Sequence, residues 1–576
     1  MMWALIGAVL IGLIGLTVDF TRAQMIRAQM QNAVDGAALA AARGDAQTPA
    51  QRRAAAEAFY EAEMGDLADD ATLTIEELPD DEISVGAVAP MPVSLAALVR
   101  NEDWNLRVVS RAQRSGVNIE MAMVLDVTGS MAGTRISSLR TAATDLVNTV
   151  VRDQQTPYYS KAALVPYSQG VNAGSYATQA RGAIVPARSV TNAVWRAAAA
   201  KNITGITRAN PAVVTSNGHG LTTGDYVFIT GVRGMTQVND RVFRVTVVNA
   251  NSFRLDSTNS SGYRSYTNNG TVTRCLNSTC SAVITASSHG FAVNDRVYFT
   301  GVGGMTQLNN NLFTVAAVNG NNFTLSGSQG GYSDYTSGGS VYCTRLNCQY
   351  YAFTDAGGST RVFPVNNCVT ERPGVERYTD ASPATAYVGI NYAPSSQCPA
   401  TTIVPMTTDR STLNTRIASL SATGATAGHI GLAWGWYMVS PNWGSIFPAS
   451  SRGANYGARE TLKIVVLMTD GEFNTAYCNG VVSRDSTSTG SSERINCDAP
   501  NGQPFDQGEA LCNAMKQQNI IIYTVGFGLT AGGDAEDFMR QCATDESHAY
   551  LADDGQELIA AFQAIAASIT QLRITH

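Results

Sequence analysis

The chain opens on an uncharged run, MMWALIGAVLIGLIGLTV, that ends at Asp19. Its length lies at the short end of what spans a bilayer as a helix. A cleaved secretory signal is the competing reading, but no basic segment precedes the run and no A-x-A-like exit follows it. FTRAQMIRAQMQNAVDGAALAAAR continues with no glycine or proline before Gly36, so the pattern predicts one helix to about Arg43, a retained anchor followed by a stalk. The helix-prone QRRAAAEAFYEAEMGDLA extends the stalk or packs on it. From Ala71 the texture changes to alternating runs, TLTIEEL, EISVGAV, VSLAAL and WNLRVVSRAQ, which read as strands. NIEMAMVLDVT then reads as a buried strand, RISSLRTAATDLVNTVV as a helix and KAALVPYS as a second buried strand.

Near residue 195 this pattern gives way to an internal repeat. AVVTSNGHGLTTGDYVFITGVRGMTQVNDRVFRVTVVNANSFRL (212–255) returns as AVITASSHGFAVNDRVYFTGVGGMTQLNNNLFTVAAVNGNNFTL (282–325), an offset of 70 residues. Each copy runs on through a tyrosine-rich segment to a C-x4-C pair, Cys275/Cys280 and Cys343/Cys348. A period this long predicts two tandem β-domains, with punctuated strands that suit small barrels. His219 and His289 hold the same place in both copies and are read as turn residues. The shared run DYVFITGVRGMTQVN resembles the FCCH-type β-module of ubiquitin-activating enzymes, a resemblance that implies a fold and no activity.

The α/β texture resumes after residue 400. RSTLNTRIASL and GHIGLAWGWYMVS read as helices, LKIVVLMTD as a buried central strand, EALCNAMKQQN as a helix, IIIYTVGF as a strand and QELIAAFQAIAASITQLR as the last helix. Trp434, Trp436 and Tyr437 read as packing aromatics. Six segments follow: 1–60 anchor and stalk, 61–118 β-rich connection, 119–195 first part of an α/β domain, 196–280 and 281–348 the two β-modules, and 349–576 a loop region with the second part of the α/β domain. Loop-closure entropy grows slowly with length, so such an insertion is tolerated.

Composition narrows the chemistry. Charged residues are 15% of the chain and the formal net charge is −7, with no long Lys/Arg run, which argues against nucleic acid as a partner. Five histidines offer little for a His-rich zinc or catalytic site. Ten cysteines, none in a C-x-x-C pair, read as disulfides of an oxidising compartment, with expected pairs 275–280, 343–348, 368–398, 478–497 and 512–542. Arg22 and Arg27 follow the apolar run and nothing positive precedes it, which taken alone would put the body in the cytoplasm. The cysteines outweigh that two-charge bias.

Asp126-Val-Thr128-Gly-Ser130 falls between a strand and a helix, at the carboxyl edge of a doubly wound sheet, where ligands bind. Its carboxylate and two hydroxyls are hard oxygen donors that suit Mg²⁺, with Mn²⁺ or Ca²⁺ as alternatives, and not zinc. The bland reading is a helix cap. D-x-T-G-S-M resembles the metal-ion-dependent adhesion site of von Willebrand A domains, whose remaining ligands match Thr426 in ATGATAG and Asp470 in MTDG. The resemblance implies an α/β fold with a doubly wound, mostly parallel sheet, here with an N-terminal transmembrane helix and an inserted pair of small β-barrels. It further implies that Ser130, Thr128 and Thr426 touch a divalent cation, that Asp126 and Asp470 hold it largely through waters, and that a partner's acidic side chain takes the open position.

Gly15-Leu-Thr-Val-Asp19, Arg22 and the segment from Gln31 to Ala42 are similar to the opening of TadE/TadG-type pilus-assembly proteins, and Leu432 to Trp436 before Ser440-Pro441 matches the TadG-like group. That family implies a single-pass protein of the bacterial inner membrane, its body in the periplasm or at the cell surface, working with other pilus-assembly components. The expected function is cation-dependent adhesion or assembly without catalysis. The alternatives are a structural, minor-pilin-like filament component without a working metal site, and a metal-dependent hydrolase, disfavoured because no general base accompanies the site.

Overall fold

The computed structural model describes residues 2–42, 48–78, 82–94, 103–113, 116–156, 158–393, 398–458 and 460–575, with the side chains of residues 1–12 and 573–576 outside the description. Helix α1 (Met2–Ala42) is followed by α2 (Pro49–Met64). Thr48 caps α2 in a capping box with Gln51, and Pro49 opens its first turn, where a missing N–H costs nothing. The strands β1 (Thr72–Leu78), β2 (Glu82–Met91) and β3 (Trp104–Gln113) form an antiparallel sheet beneath the two helices. Met30, Ala33, Val34, Ala37, Ala38, Ala41 and Ala42 recur at helical spacing and are buried against β2, β3 and α2. The expected stalk is therefore one wall of a small α+β unit with its own core. The strand expected at VSLAAL lies largely outside the described residues, as does Arg43.

Two expectations are corrected here. Among the described residues no helix is long and apolar enough to cross a membrane, so the transmembrane helix, the membrane contact through it and the single-pass inner-membrane placement do not stand. Much of the uncharged N-terminal run falls at residues 1–12, whose side chains lie outside the described residues. The doubly wound α/β class with a membrane helix is also overturned, because the chain is mostly β and, of the five sheets among the described residues, four are antiparallel throughout. The reason is the amount of sequence given to short, turn-punctuated strands outside the buried apolar ones.

The fifth sheet has ten strands and is mixed. At its centre β5 (Ser160–Tyr167), β4 (Asn118–Asp126), Thr461–Thr469, Ile521–Phe527 and Ala549–Ala552 run parallel in that order. Antiparallel strands, including Thr360–Thr370 and Tyr350–Thr354, extend it beyond β5. α3 (Thr134–Val150), Arg410–Ala418 and the C-terminal helix Gly555–Thr575 cover one face, and Gly428–Val439 and Pro504–Gln517 the other. Gly428–Val439 is buried at every residue. Its glycines let it lie close to the sheet: a Cβ on Gly431 would stand 2.5 Å from the Tyr167 ring, and one on Gly435 would stand 2.4 Å from Val124. Trp434, Trp436 and Tyr437 pack into the core on this side. Asp534–Cys542, a short helix that periodicity did not predict, is tied to Pro504–Gln517 by Cys512–Cys542.

The two repeats fold alike, as seven-stranded curled sheets whose end strands stay unpaired with each other, half-barrels rather than the small barrels expected. Their connection is not tandem. Arg188–Ser189 and Asn192–Val194 precede the first repeat, yet they pair with Ser340–Cys343 and Val283–Thr285 of the second. The equivalent edge strands of the first repeat, Lys201–Asn202 and Gly205–Ile206, are its own. The first module is thus inserted within the second, and both within the mixed-sheet domain. Arg196 and Cys275 form a bridge where the chain enters and leaves the inner module. Phe228 of the inner module packs on Trp195 at 5.8 Å, in the core of the outer one. All five expected disulfides are present, and among the described residues no cysteine is free.

Candidate functional site

Parallel register brings the carboxyl ends of β4 and Thr461–Thr469 to one edge, with Met468 beside Leu125. Asp126 ends one strand and Asp470 follows the other, so two carboxylates separated by 344 positions in the numbering meet because their strands are neighbours. The turn after Asp126 is fixed by the Thr128 N–H, which donates to Asp126 Oδ1 at 2.9 Å. Thr128 Oγ1 and Ser130 Oγ are 2.9 Å apart, and Ser130 Oγ donates to Asp470 Oδ1 at 2.6 Å. Thr128 Oγ1 is 3.5 Å from the same carboxylate oxygen. Four of the five expected residues are thus linked by short polar contacts.

Thr426 arrives on a third loop laced to the others. The Gly129 N–H donates to Gly424 O at 2.9 Å and the Thr423 N–H to Val127 O at 2.8 Å. Asn474 holds Thr426 from both sides, its side-chain oxygen accepting the Thr426 N–H at 3.0 Å and its own N–H donating to Thr426 O at 2.9 Å. A Cβ on Gly129 would lie 3.3 Å from Gly424 O, so this close approach favours glycine.

The electrostatics are those of two carboxylates held close in a dry setting. Asp126 is fully buried, and burial followed by the neighbouring Asp470 pushes its pKa up to about 6. Its Oδ2 accepts from Thr469 Oγ1 at 2.8 Å and from the Tyr167 hydroxyl at 3.2 Å. Burial, then the Asp126 carboxylate, hold the Tyr167 phenol protonated as a donor. Sequence reasoning missed Tyr167, Thr469, Asn474 and Arg135, whose Nη1 donates to Asp470 Oδ2 at 2.8 Å. Tyr167 and Thr469 end buried strands and could have been suspected from that position, whereas Arg135 and Asn474 carry no spacing signal.

As a donor set the cluster consists of carboxylate and hydroxyl oxygens, the chemistry of Mg²⁺, Mn²⁺ or Ca²⁺. Among the described residues no group of three or more His, Cys, Asp or Glu side chains could hold a metal, which leaves this hydroxyl-rich cluster without a conventional carboxylate or histidine cage. His429, beside the Thr426 loop, is buried in the core near Glu371 at 3.8 Å. His219 and His289 act as turn residues: Nδ1 of each accepts the N–H two residues on, and Nε2 faces the carbonyl of Asn249 or Gly320. The first contact makes Nε2 the protonated nitrogen in the neutral ring.

Comparison with known proteins gives local matches. The Trp195–Phe228 module pair corresponds to two matches, at residues 209–275 and 279–345, to the ubiquitin-activating enzyme E1 FCCH domain. No curated protein matches the chain. Among solved structures it is similar to the pilus adhesin SpaC from Lactobacillus rhamnosus GG, at 10% identity and a TM-score of 0.29 over 88% of this chain and 35% of that one. It is also similar to the vWF domain of the type V pili tip protein Mfa5 from Porphyromonas gingivalis, at 11% identity and a TM-score of 0.30 over 80% of this chain and 97% of that one. A third is the PilB minor pilin from Streptococcus sanguinis, at 10% identity and a TM-score of 0.28 over 88% of this chain and 78% of that one. The chain spans about a third of the length of SpaC. Residues 1–44 match the family described as putative Flp pilus-assembly TadE/G-like.

Proposed function

We propose that this is a pilus-associated protein that binds an acidic group on a protein partner through a divalent cation, Mg²⁺ first, held by Asp126, Thr128, Ser130, Thr426 and Asp470. The observation that carries the reading is the convergence of Ser130 Oγ, Thr128 Oγ1 and Asp470 Oδ1 within 3.5 Å of one another at the sheet edge. Hydroxyls packed against a carboxylate in this way are a donor set for a hard cation, and the buried negative charge of Asp126 gives the ion an electrostatic role. Ser130 and Arg135 reach solvent, so a ligand has access from outside. Five disulfides support an oxidising, extracytoplasmic setting. The N-terminal family match supports the pilus association. The role assigned is binding and not catalysis, with other pilus components as the partners.

The test is thermal unfolding and capture of pilus components with Mg²⁺ or Mn²⁺ against chelator, for wild type and Asp126→Ala. Stabilisation and capture that depend on the cation and vanish in the variant are expected. A wild type indifferent to the cation would sink the proposal. The second reading, a structural filament subunit, is favoured by the exposed apolar residues Leu13, Ile14, Val18 and Met25 along α1. Recovery of the chain in stoichiometric amount from purified filaments, insensitive to chelator, would select it.

A further inference from the structure

Arg135, the second residue of α3, is lodged against the candidate cation site by three separate contacts. Its Nη1 donates to Asp470 Oδ2 at 2.8 Å, with the Asp470 side chain fully buried and the Arg135 side chain 38% exposed. Its guanidinium carbon lies 5.3 Å from the centre of the Phe527 ring, a cation–π contact at the end of the next parallel strand. At Gly528, where φ is +62°, a Cβ would stand 3.1 Å from Nη2, so the backbone there makes room for the planar head. Asp470 therefore divides its two oxygens: Oδ1 faces Ser130 and Thr128, and Oδ2 is neutralised by an arginine of the same chain.

We infer that Arg135 is a built-in counter-cation that competes with the divalent ion for Asp470 and so sets the affinity of the site. The inference rests on the cation-binding function proposed above. An ion held on the Oδ1 side, directly or through water, would face the guanidinium across one carboxylate, so the two positive charges would repel. The same contact reduces the repulsion between Asp126 and Asp470 when no ion is bound. Removing the guanidinium has opposite effects on the two states: it destabilises the cation-free protein and strengthens binding of the ion. A merely structural arginine would weaken both. Arg135 is partly exposed on a flexible stem, so it can leave Asp470 without unpacking the core.

The experiment titrates Mn²⁺ into the full chain by calorimetry, and follows thermal unfolding with and without Mn²⁺, for wild type, Arg135→Gln and Arg135→Lys. Arg135→Gln should bind Mn²⁺ about tenfold tighter, the size of effect expected for removing one nearby charge at a partly exposed site. It should also unfold at a lower temperature than wild type in chelator, with the gap closing in saturating Mn²⁺. Arg135→Lys, which keeps the charge but not the planar fork, should stay within about threefold of wild type. Equal or weaker binding by Arg135→Gln, with wild type binding normally, overturns the inference and leaves the proposed function standing. Absence of Mn²⁺ binding in all three overturns both.

Discussion

Lys463 Nζ lies 2.5 Å from Glu120 Oε2, the two residues facing each other on adjacent parallel strands in the interior of the mixed sheet. Both are buried, and the pair is closed by further bonds: Glu120 accepts from the Tyr159 hydroxyl and the Ala454 N–H, and Lys463 also donates to Val439 O. Burial pushes the Lys463 ammonium below its ordinary pKa while Glu120 pulls it up. A strand that otherwise reads as continuously apolar can carry a lysine here only because its neighbour supplies the charge and the remaining donors and acceptors are met.

Lys463→Met should accordingly destabilise the protein by about 3–5 kcal/mol, because it leaves the Glu120 carboxylate buried without its partner. The double variant Glu120→Leu, Lys463→Met should recover most of that loss, since replacing both ends removes the unpaired charge. Urea unfolding of the three proteins checks both statements; a double variant no better than the single would contradict them.

The raised pKa of Asp126 gives a pH dependence with a defined sign. In chelator, the folded state holds a proton on Asp126 up to about pH 6, whereas a free aspartate releases it near 3.8. The native state binds more protons between those values, so the Asp126 contribution to stability falls as pH rises from about 4 to 6 and stays unfavourable above. The penalty is on the order of 3 kcal/mol at neutral pH. Asp126→Asn should remove that slope and stabilise the cation-free protein at pH 7. Comparing denaturant midpoints of the two proteins from pH 4 to 7 measures it; parallel curves would refute the prediction.

Gly431→Ala tests the fit between the buried helix and the site. The new methyl would stand 2.5 Å from Cδ1 of Tyr167, the residue whose hydroxyl reaches Asp126. Overpacking of this kind should cost about 1–3 kcal/mol. Because the strain falls on Tyr167, the cation-induced rise in unfolding temperature should shrink as well. An alanine variant with wild-type stability and response would show that the helix yields freely.

The nested modules predict an unusual deletion. Arg196 and Cys275 are bridged neighbours at the neck of the inner module, so removing residues 197–274 and joining those two ends should leave the outer module and the mixed-sheet domain folded. Phe228 would go with the deletion and uncover Trp195, so a modest loss confined to the outer module is expected. Removing residues 282–345 instead should unfold the outer sheet and strand its edge strands Arg188–Ser189 and Asn192–Val194. Calorimetry with resolved transitions distinguishes the two deletions.

Much of the secondary structure was legible because hydrophobic period reports locally on which face of an element is buried. The apolar runs at 118–126, 461–469 and 520–527 became parallel neighbours, QELIAAFQAIAASITQLR became the last helix with Leu558, Phe562, Ile565 and Ile569 buried, and the cysteine pairs closed as expected. The placement of Asp126, Thr128, Ser130, Thr426 and Asp470 at the ends of strands and loops was legible too, since each stands where a strand or loop meets a helix or turn. Tertiary structure alone decided the rest. It turned the N-terminal helix into the wall of an α+β unit, because Ala33, Ala37 and Ala41 make a face flat enough for β2 and β3 that composition cannot distinguish from a free stalk. It nested one repeat in the other, because strand pairing depends on which edges meet in space and not on order along the chain. It set Arg135 on Asp470, a contact between residues far apart in sequence that no local period encodes.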